Sequence, residues 1–322
     1  MSQKSTFFAN GKLLLTAEYL VLDGALALAL PTTRFGQNLT ITTTNIDTNT
    51  DIRKGVLHWR SLDETGAVWL QINLDTPNDF GAIPNENETH NTTDIDGLIM
   101  VLRAARQLNP LFLNDSTNIT ATTTINYPRA WGLGSSSTLV AAVAEWAGVN
   151  AFALNDKTFR SSGYDVACAN QKQPILFQKM GNKNVVKSVN FAPDFSDEIY
   201  FIYLNKKQNS RDGIKYYRTL NEDLRADAVT KLDIITKKII EPTLSKTDFI
   251  ALLTQHEKII SDLLQLPTVK AALFPDFDGA VKSLGAWGGD FVLAIANKNT
   301  SDTRDYFTAK GYETVLRWSD MF

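Results

Sequence analysis

The chain of 322 residues has one cysteine, Cys168, so no intrachain disulfide can staple it. Its three histidines, His58, His90 and His256, are scattered and give no recognisable zinc spacing. No apolar run is long enough to span a bilayer, and Met1-Ser2-Gln3-Lys4-Ser5-Thr6 leads into only a short apolar segment. We read no signal peptide and no membrane association there, and expect a cytoplasmic protein. Neither sign of charge is in large excess: the formal net charge of −3 gives no reason to expect nucleic acid as a partner. There is no internal repeat. The lysine that closes a P-loop, G-x-x-x-x-G-K-[ST], is also missing, so any nucleotide site is of another type. What remains is ordinary globular material, 43% apolar and 21% charged, long enough for two domains or one large one.

The most informative stretch is Trp131-Gly132-Leu133-Gly134-Ser135-Ser136-Ser137-Thr138, which opens the apolar, alanine-rich segment Leu139–Trp146. Glycines allow a sharp turn and close approach of a ligand to the backbone. The first N–H groups of a helix lack intrahelical partners and sit at the positive end of its dipole. Phosphate commonly answers that arrangement, and serine hydroxyls can add bonds to phosphate oxygens or a metal ion. The plainer reading is a buried helix after a glycine turn.

Residues 7–30 are short apolar runs separated by Gly and isolated charges, which suits buried strands joined by tight turns. Lys12 there reads either as a snorkelling strand-end cation or as a lysine placed to meet phosphate. Leu39, Ile41 and Thr43 alternate with polar residues, as do residues 68–74 and 119–125; all three read as half-exposed strands. Residues 75–95 read as a loop and 96–108 as an amphipathic helix. Asp165, in Ser162-Gly163-Tyr164-Asp165-Val166-Ala167, stands where a helix cap is common. Strands follow near 185–191 and 199–204, the second apolar throughout and therefore central. Residues 212–265 are helical with a break at Pro242. Lys282-Ser283-Leu284-Gly285-Ala286-Trp287-Gly288-Gly289-Asp290 is a second glycine loop, leading into the strand that starts at Phe291. Strands concentrate before residue 200 and helices after it. The expectation is an α+β protein of two lobes, 1–195 and 196–322.

Three segments match one family in order and spacing. Gly11-Lys12-Leu13-Leu14-Leu15-Thr16-Ala17-Glu18-Tyr19 resembles the first motif of the GHMP superfamily of kinases. Pro128 through Ser136 matches that family's phosphate loop, P-x-x-x-G-L-G-S-S, at every fixed position. Gly285-Ala286-Trp287-Gly288-Gly289-Asp290 resembles the third. Within the superfamily the chain is most similar to the phosphomevalonate kinase and mevalonate kinase subgroup. Glu18-Tyr19, Ser162–Ala167, Gly288-Gly289-Asp290 and Leu204–Ser210 carry that likeness to phosphomevalonate kinases. Three departures stand out: Ala17 where Gly is usual, Trp287 within the third loop, and no Thr-Gly start to the Lys206–Ser210 segment.

The resemblance implies an N-terminal ATP-binding lobe like ribosomal protein S5 domain 2 and a ferredoxin-like C-terminal lobe. It implies an enzyme that transfers the γ-phosphoryl of Mg-ATP to a small alcohol or phosphate monoester, phosphomevalonate being favoured. Gly132, Leu133, Gly134, Ser135, Ser136 and Ser137 would hold ATP, and Ser136 would also be a hydroxyl ligand of Mg²⁺. The acidic magnesium ligand is not placed by the motifs, and Glu145 is only a candidate. Asp165 would accept or orient the acceptor's proton, and Lys12 would stabilise charge on the transferred group. Glu18, Tyr19, Lys206, Ser210, Gly288, Gly289 and Asp290 would hold the acceptor. Lys206, Lys207 and Arg211 read equally as a solvated surface run. Two rivals share the fold: mevalonate diphosphate decarboxylase, and a non-catalytic ATP-binding regulator, which would need neither Lys12 nor Asp165. Oligomeric state is not read from the sequence.

Overall fold

The computed structural model describes residues 3–44, 55–76, 78, 80–83, 92–114, 117–207, 210–285, 287–298 and 303–322. The strands are β1 (Gln3–Leu14), β2 (Ala27–Thr44), β3 (Val56–Leu62), β4 (Val68–Asp75), β5 (Gly81–Ile83), β6 (Asn118–Ile125), β7 (Ile175–Met180), β8 (Lys183–Ser188), β9 (Tyr200–Tyr203), β10 (Gly279–Leu284), β11 (Phe291–Ala296) and β12 (Val315–Arg317). The α-helices are α1 (Thr92–Leu108), α2 (Ser135–Ala147), α3 (Ala151–Lys157), α4 (Tyr164–Ala169), α5 (Ser210–Arg218), α6 (Glu222–Ile239), α7 (Lys246–Leu264), α8 (Val269–Leu273), α9 (Thr303–Ala309) and α10 (Trp318–Met321). No helix among the described residues is long and apolar enough to cross a membrane.

The chain forms two compact units that interleave along the sequence. One comprises 1–11, 35–129 and 134–170, the other 12–34, 130–133 and 171–322. In the first, the strands run β5-β4-β3-β6-β2, with β1 pairing β2. The sheet is mixed: β3 lies parallel to β6, Trp59 opposite Ala121, while β2 lies antiparallel to β6, Leu39 opposite Thr123. Alternation along these strands buries Leu39, Ile41, Leu57, Trp59, Leu70, Ile72 and Ala121 on one face, where they meet α1 and α2. Helix α1 carries Gly97 in its interior, which costs about 0.5–1 kcal/mol against Ala. Leu98, Val101 and Leu102 are almost wholly buried. Each contributes about 1.5–3 kcal/mol by leaving water, which outweighs the glycine.

In the second unit, β7 pairs antiparallel with residues 27–29 of β2 and with β8. A separate antiparallel sheet has the order β10-β11-β9-β12. β9 is interior in it, as its apolar run predicts. Its core includes Tyr200, Ile202, Phe274, Val281, Val292, Ala294 and Phe307. Leu20–Asp23 corrects one expectation: it is a 3-10 helix ended by Gly24 at φ +88°, not a strand. The apolar run there reflects burial of Leu20 and Val21 in a turn. Gly81–Ile83 adds a short strand inside the expected 75–95 loop, and α1 starts at Thr92.

Candidate active site

In the second unit, the end of β1 meets the first half of the glycine–serine loop. The Lys12 amide donates to the Leu133 carbonyl at 3.0 Å. The Lys12 ammonium donates to the Gly132 carbonyl at 2.7 Å. Gly132 is left-handed, φ +68°. A Cβ there would lie 2.3 Å from Asp290 Oδ2, so the carboxylate of the third motif rests against the loop backbone. Asp290 is itself left-handed, φ +53°. Its N–H donates to the Lys206 carbonyl at 2.9 Å, and its own carbonyl accepts from Leu204 at 2.8 Å. Lys12, Gly132, Asp290 and the backbone of Lys206 are thus brought together. The Lys206 side chain is exposed. Ser210 begins α5, but its side chain and that of Arg211 lie outside the described residues, as do Gln208, Asn209 and Ala286.

The first motif ends in a strained turn. Ala17 and Tyr19 are both left-handed, φ +67° and φ +60°. Such backbone costs on the order of 1–3 kcal/mol per non-glycine residue and persists only where the surroundings impose it. It explains why glycine suits position 17. The Ala17 N–H donates to His256 Nε2 at 3.0 Å, so a neutral His256 carries its proton on Nδ1. The Tyr19 hydroxyl accepts from the Trp287 N–H at 3.0 Å, and its ring stacks on Tyr217 at 5.8 Å. A Cβ at Gly213 would come within 2.4 Å of that hydroxyl, so α5 can pass Tyr19 only with glycine there. Burial raises the Tyr19 pKa, opposed by the Trp287 N–H and reinforced by the charges of Glu18 and Asp290. Gly288, φ +80°, and the buried Gly289 complete the turn between Trp287 and Asp290. Tyr19, Asp212, Gly213, Tyr216, Leu264, Leu266 and Trp287 line a cavity of about 350 Å³.

Glu18 points away from that cavity's lining into a buried cluster. Its Oε1 pairs with the Lys282 ammonium, and its Oε2 lies 3.3 Å from His256 Nε2. Lys282 Nζ is also 3.7 Å from Glu257 Oε1 and donates to the Ser283 carbonyl at 2.7 Å. Glu18, His256 and Lys282 have no exposed side-chain surface and Glu257 almost none. Burial raises the Glu18 pKa against the opposing pull of Lys282. It pushes Glu257 up to about 8, again against Lys282. Burial, then the Lys282 charge, holds His256 well below its ordinary value. At neutral pH the cluster therefore contains a neutral imidazole and a protonated Glu257. Sequence reasoning missed His256, Glu257 and Lys282. The available signal was a lysine between Val281 and Ser283-Leu284, in the short run Ala280–Leu284 next to a glycine loop.

In the first unit, the loop's second half opens α2. Gly134 is the N-cap, φ +94°, and no side chain caps the helix. The amides of Ser135, Ser136 and Ser137 fall in its first turn, where the helix itself offers them no acceptor. The Ser137 hydroxyl turns back to the Gly134 carbonyl at 2.8 Å, and Thr138 donates to Gln37 at 2.7 Å. Ser135 is half-buried and Ser136 exposed. Glu145 does not accompany Ser136: it lies nine residues (145 − 136) along α2, about 13.5 Å and two and a half turns away, on the opposite face. Among the described residues no group of three or more His, Cys, Asp or Glu is placed to hold a metal ion.

Asp165 occupies the first turn of α4, whose N-cap is Gly163 at φ +96°. The cap reading therefore fails: the aspartate lies two positions past the half-in residue (165 − 163). Its Oδ1 accepts from the Val166 N–H at 3.0 Å and lies 3.0 Å from the Ser161 hydroxyl. That hydroxyl is also 2.9 Å from Asn155 Oδ1. Ser161 and Asn155 thus fix the carboxylate from the side of Oδ1.

No protein-family model matches the sequence, and no curated protein matches it. Solved structures match over almost its whole length. Lactococcus lactis galactokinase complexed with galactose is 14% identical at TM-score 0.70, over 98% of this chain and 93% of that one. Streptococcus pneumoniae phosphomevalonate kinase in complex with phosphomevalonate and AMPPNP is 16% identical at TM-score 0.65, over 97% and 99%. L. major mevalonate kinase in complex with R-mevalonate is 16% identical at TM-score 0.63, over 98% and 95%. At these identities the likeness is one of architecture: this chain has the α+β fold of the GHMP kinases that its three motifs resemble.

Proposed function

We propose that this protein is a small-molecule kinase that transfers the γ-phosphoryl of Mg-ATP to an alcohol or phosphate monoester, with phosphomevalonate the favoured acceptor. The observation that carries the reading is the glycine–serine loop. Two left-handed glycines, Gly132 and Gly134, precede a helix start whose first amides have no side-chain cap. An ammonium, Lys12, is fixed to the same loop at 2.7 Å. That donor set suits a polyphosphate. Its fit to magnesium is narrower: the exposed Ser136 hydroxyl is the one ligand we assign, and Glu145 is excluded by its helix position. Magnesium keeps several waters and takes few protein ligands in phosphate complexes, so one hydroxyl is compatible with it.

Bound Mg-ATP would supply the γ-phosphoryl and neutralise part of its charge. The amides of Ser135, Ser136 and Ser137 hold phosphate oxygens, and Lys12 stabilises the charge that builds on the group in transfer. Asp165 takes the proton of the attacking oxygen at Oδ2, an alcohol's O–H or a phosphate monoester's P–OH, Oδ1 being held by Val166 and lying beside Ser161. As the acceptor oxygen bonds to the γ-phosphorus, the bond to the β-phosphate oxygen breaks and ADP leaves. Tyr19, Lys206, Gly288, Gly289 and Asp290 form the acceptor side. The Glu18-Tyr19, Ser162–Ala167 and Gly288–Asp290 motifs favour a phosphomevalonate-type acceptor over sugars or homoserine.

The test is ATP turnover by the full chain with mevalonate, phosphomevalonate, diphosphomevalonate, homoserine and simple sugars. Phosphorylation of phosphomevalonate is the expected result. Carbon dioxide release from diphosphomevalonate would identify a decarboxylase instead. ATP binding without turnover of any acceptor would identify a regulator.

A further inference from the structure

We infer that Glu18, Lys282 and His256 act as positioning residues, holding the left-handed turn Ala17–Tyr19 from behind and so fixing Tyr19 in the wall of the cavity it lines with Trp287, which we assign to the acceptor. This rests on the kinase reading, but it changes what Glu18 does. The first-motif glutamate was expected to touch the acceptor. It is instead buried, with one carboxylate oxygen on Lys282 and the other facing His256.

The geometry connects the cluster to the cavity through two backbone ties. The Ala17 N–H points into the interior and is received by His256 Nε2 at 3.0 Å. Two residues later, Tyr19 delivers its hydroxyl to the Trp287 N–H at 3.0 Å. Tyr19 and Trp287 both line the cavity, together with Gly213 and Tyr216. Between the ties sits Glu18, whose carbonyl accepts from Leu20 at 2.7 Å as the chain turns into the 3-10 helix. Ala17 and Tyr19 are on either side of it in a conformation that non-glycine residues hold only under constraint. His256 and Glu257 come from α7 and Lys282 from β10, so two separate elements converge on this one turn. A buried ion pair is weak support for stability alone, since apolar replacements of similar volume commonly serve as well. An imidazole whose Nε2 receives the amide of a strained residue has a more specific task, fixing the turn's direction.

Full-length His256→Leu and His256→Gln variants test this. Leucine leaves the Ala17 amide without an acceptor, whereas glutamine can return an oxygen to it. His256→Leu should raise the acceptor KM by about tenfold or more with ATP KM and kcat little changed, and His256→Gln should recover most of that loss. Amide hydrogen exchange at 17–19 should accelerate by about tenfold in His256→Leu only. Where the leucine variant does not fold, His256→Asn, polar but too short to reach Ala17, takes its place. A folded variant lacking the acceptor, with acceptor KM unchanged or exchange at 17–19 unchanged, overturns the inference. If the wild-type chain phosphorylates no acceptor in the panel, the kinase reading fails. Exchange then still decides whether His256 holds the turn, and unaltered exchange rejects it.

Discussion

Gly132 and Asp290 share one volume: a Cβ on residue 132 would sit 2.3 Å from Asp290 Oδ2 and 2.5 Å from its Cγ. The two residues are far apart in sequence, one in the glycine–serine loop and one in the third motif. Gly132→Ala should destabilise the protein by about 2–4 kcal/mol, combining left-handed strain with the collision. Adding Asp290→Ala should relieve the collision and leave only the strain. A double-mutant cycle by urea denaturation then shows a coupling of about 1–3 kcal/mol. Additive losses would show that the two side-chain positions do not compete.

Gly134→Val concerns the other half of the loop. A β-branched residue at φ +94° cannot hold the N-cap backbone found here. ATP affinity should fall by about tenfold or more, read by calorimetry on protein that is folded by circular dichroism. Unchanged affinity in a folded variant would make the loop a structural turn only.

Asp165→Asn keeps the shape of the side chain and can still receive the Val166 N–H. It should leave folding and ATP binding intact and lower kcat by about 10²–10⁴. Lys12→Met should act likewise, and the double variant should lose less than the product of the single losses, because the two act on one transfer. Near-normal turnover in Asp165→Asn would remove that residue from the chemistry.

Glu257 gives a pH dependence with a definite sign. Its pKa rises from an ordinary 4.5 to about 8, so the folded state holds a proton that the unfolded chain has released. The stability this proton provides is complete below about 4.5 and is lost as pH climbs through about 8. The buried Glu18 works in the same direction. His256 works in the other: its lowered pKa means that stability is lost as pH falls below about 6.5. Urea midpoints should therefore decline between about pH 6.5 and pH 8, and Glu257→Gln should flatten that decline. A decline of the same size in Glu257→Gln would place the titrating group elsewhere.

Local chemistry was legible where one residue's environment repeats along the element. Leu98, Val101, Leu102 and Ala105 recur at helical spacing because α1 buries one face. Ile119, Ala121, Thr123 and Ile125 alternate because β6 does. The glycine–serine loop was legible because backbone freedom and hydroxyls leave a direct mark in composition. β10 was not: all six of its residues are buried, Lys282 included, so neither alternation nor a clean apolar run marks it. Lys282 tolerates that position because Glu18 pairs with it, 264 residues away in sequence. His256 was illegible for the same reason, its partner being the Ala17 amide. A single sequence shows what neighbours along the chain share; these pairs depend on neighbours that only folding supplies.

The interleaving of the two units also sets a timetable for synthesis. Ala27, at the start of β2, pairs with Phe177 of β7, which the ribosome reaches 150 residues later (177 − 27). At about 5–20 residues per second that is a wait of about 8–30 s for the emerging strand. Residues 12–34 belong to a unit whose remainder, apart from 130–133, begins only at residue 171. During that interval Leu28, buried in the finished fold, has not met Leu176, its partner on β7. A nascent chain stalled before residue 171 should therefore expose this segment to chaperones and proteases, whereas one released after residue 188, with β7 and β8 complete, can cover it.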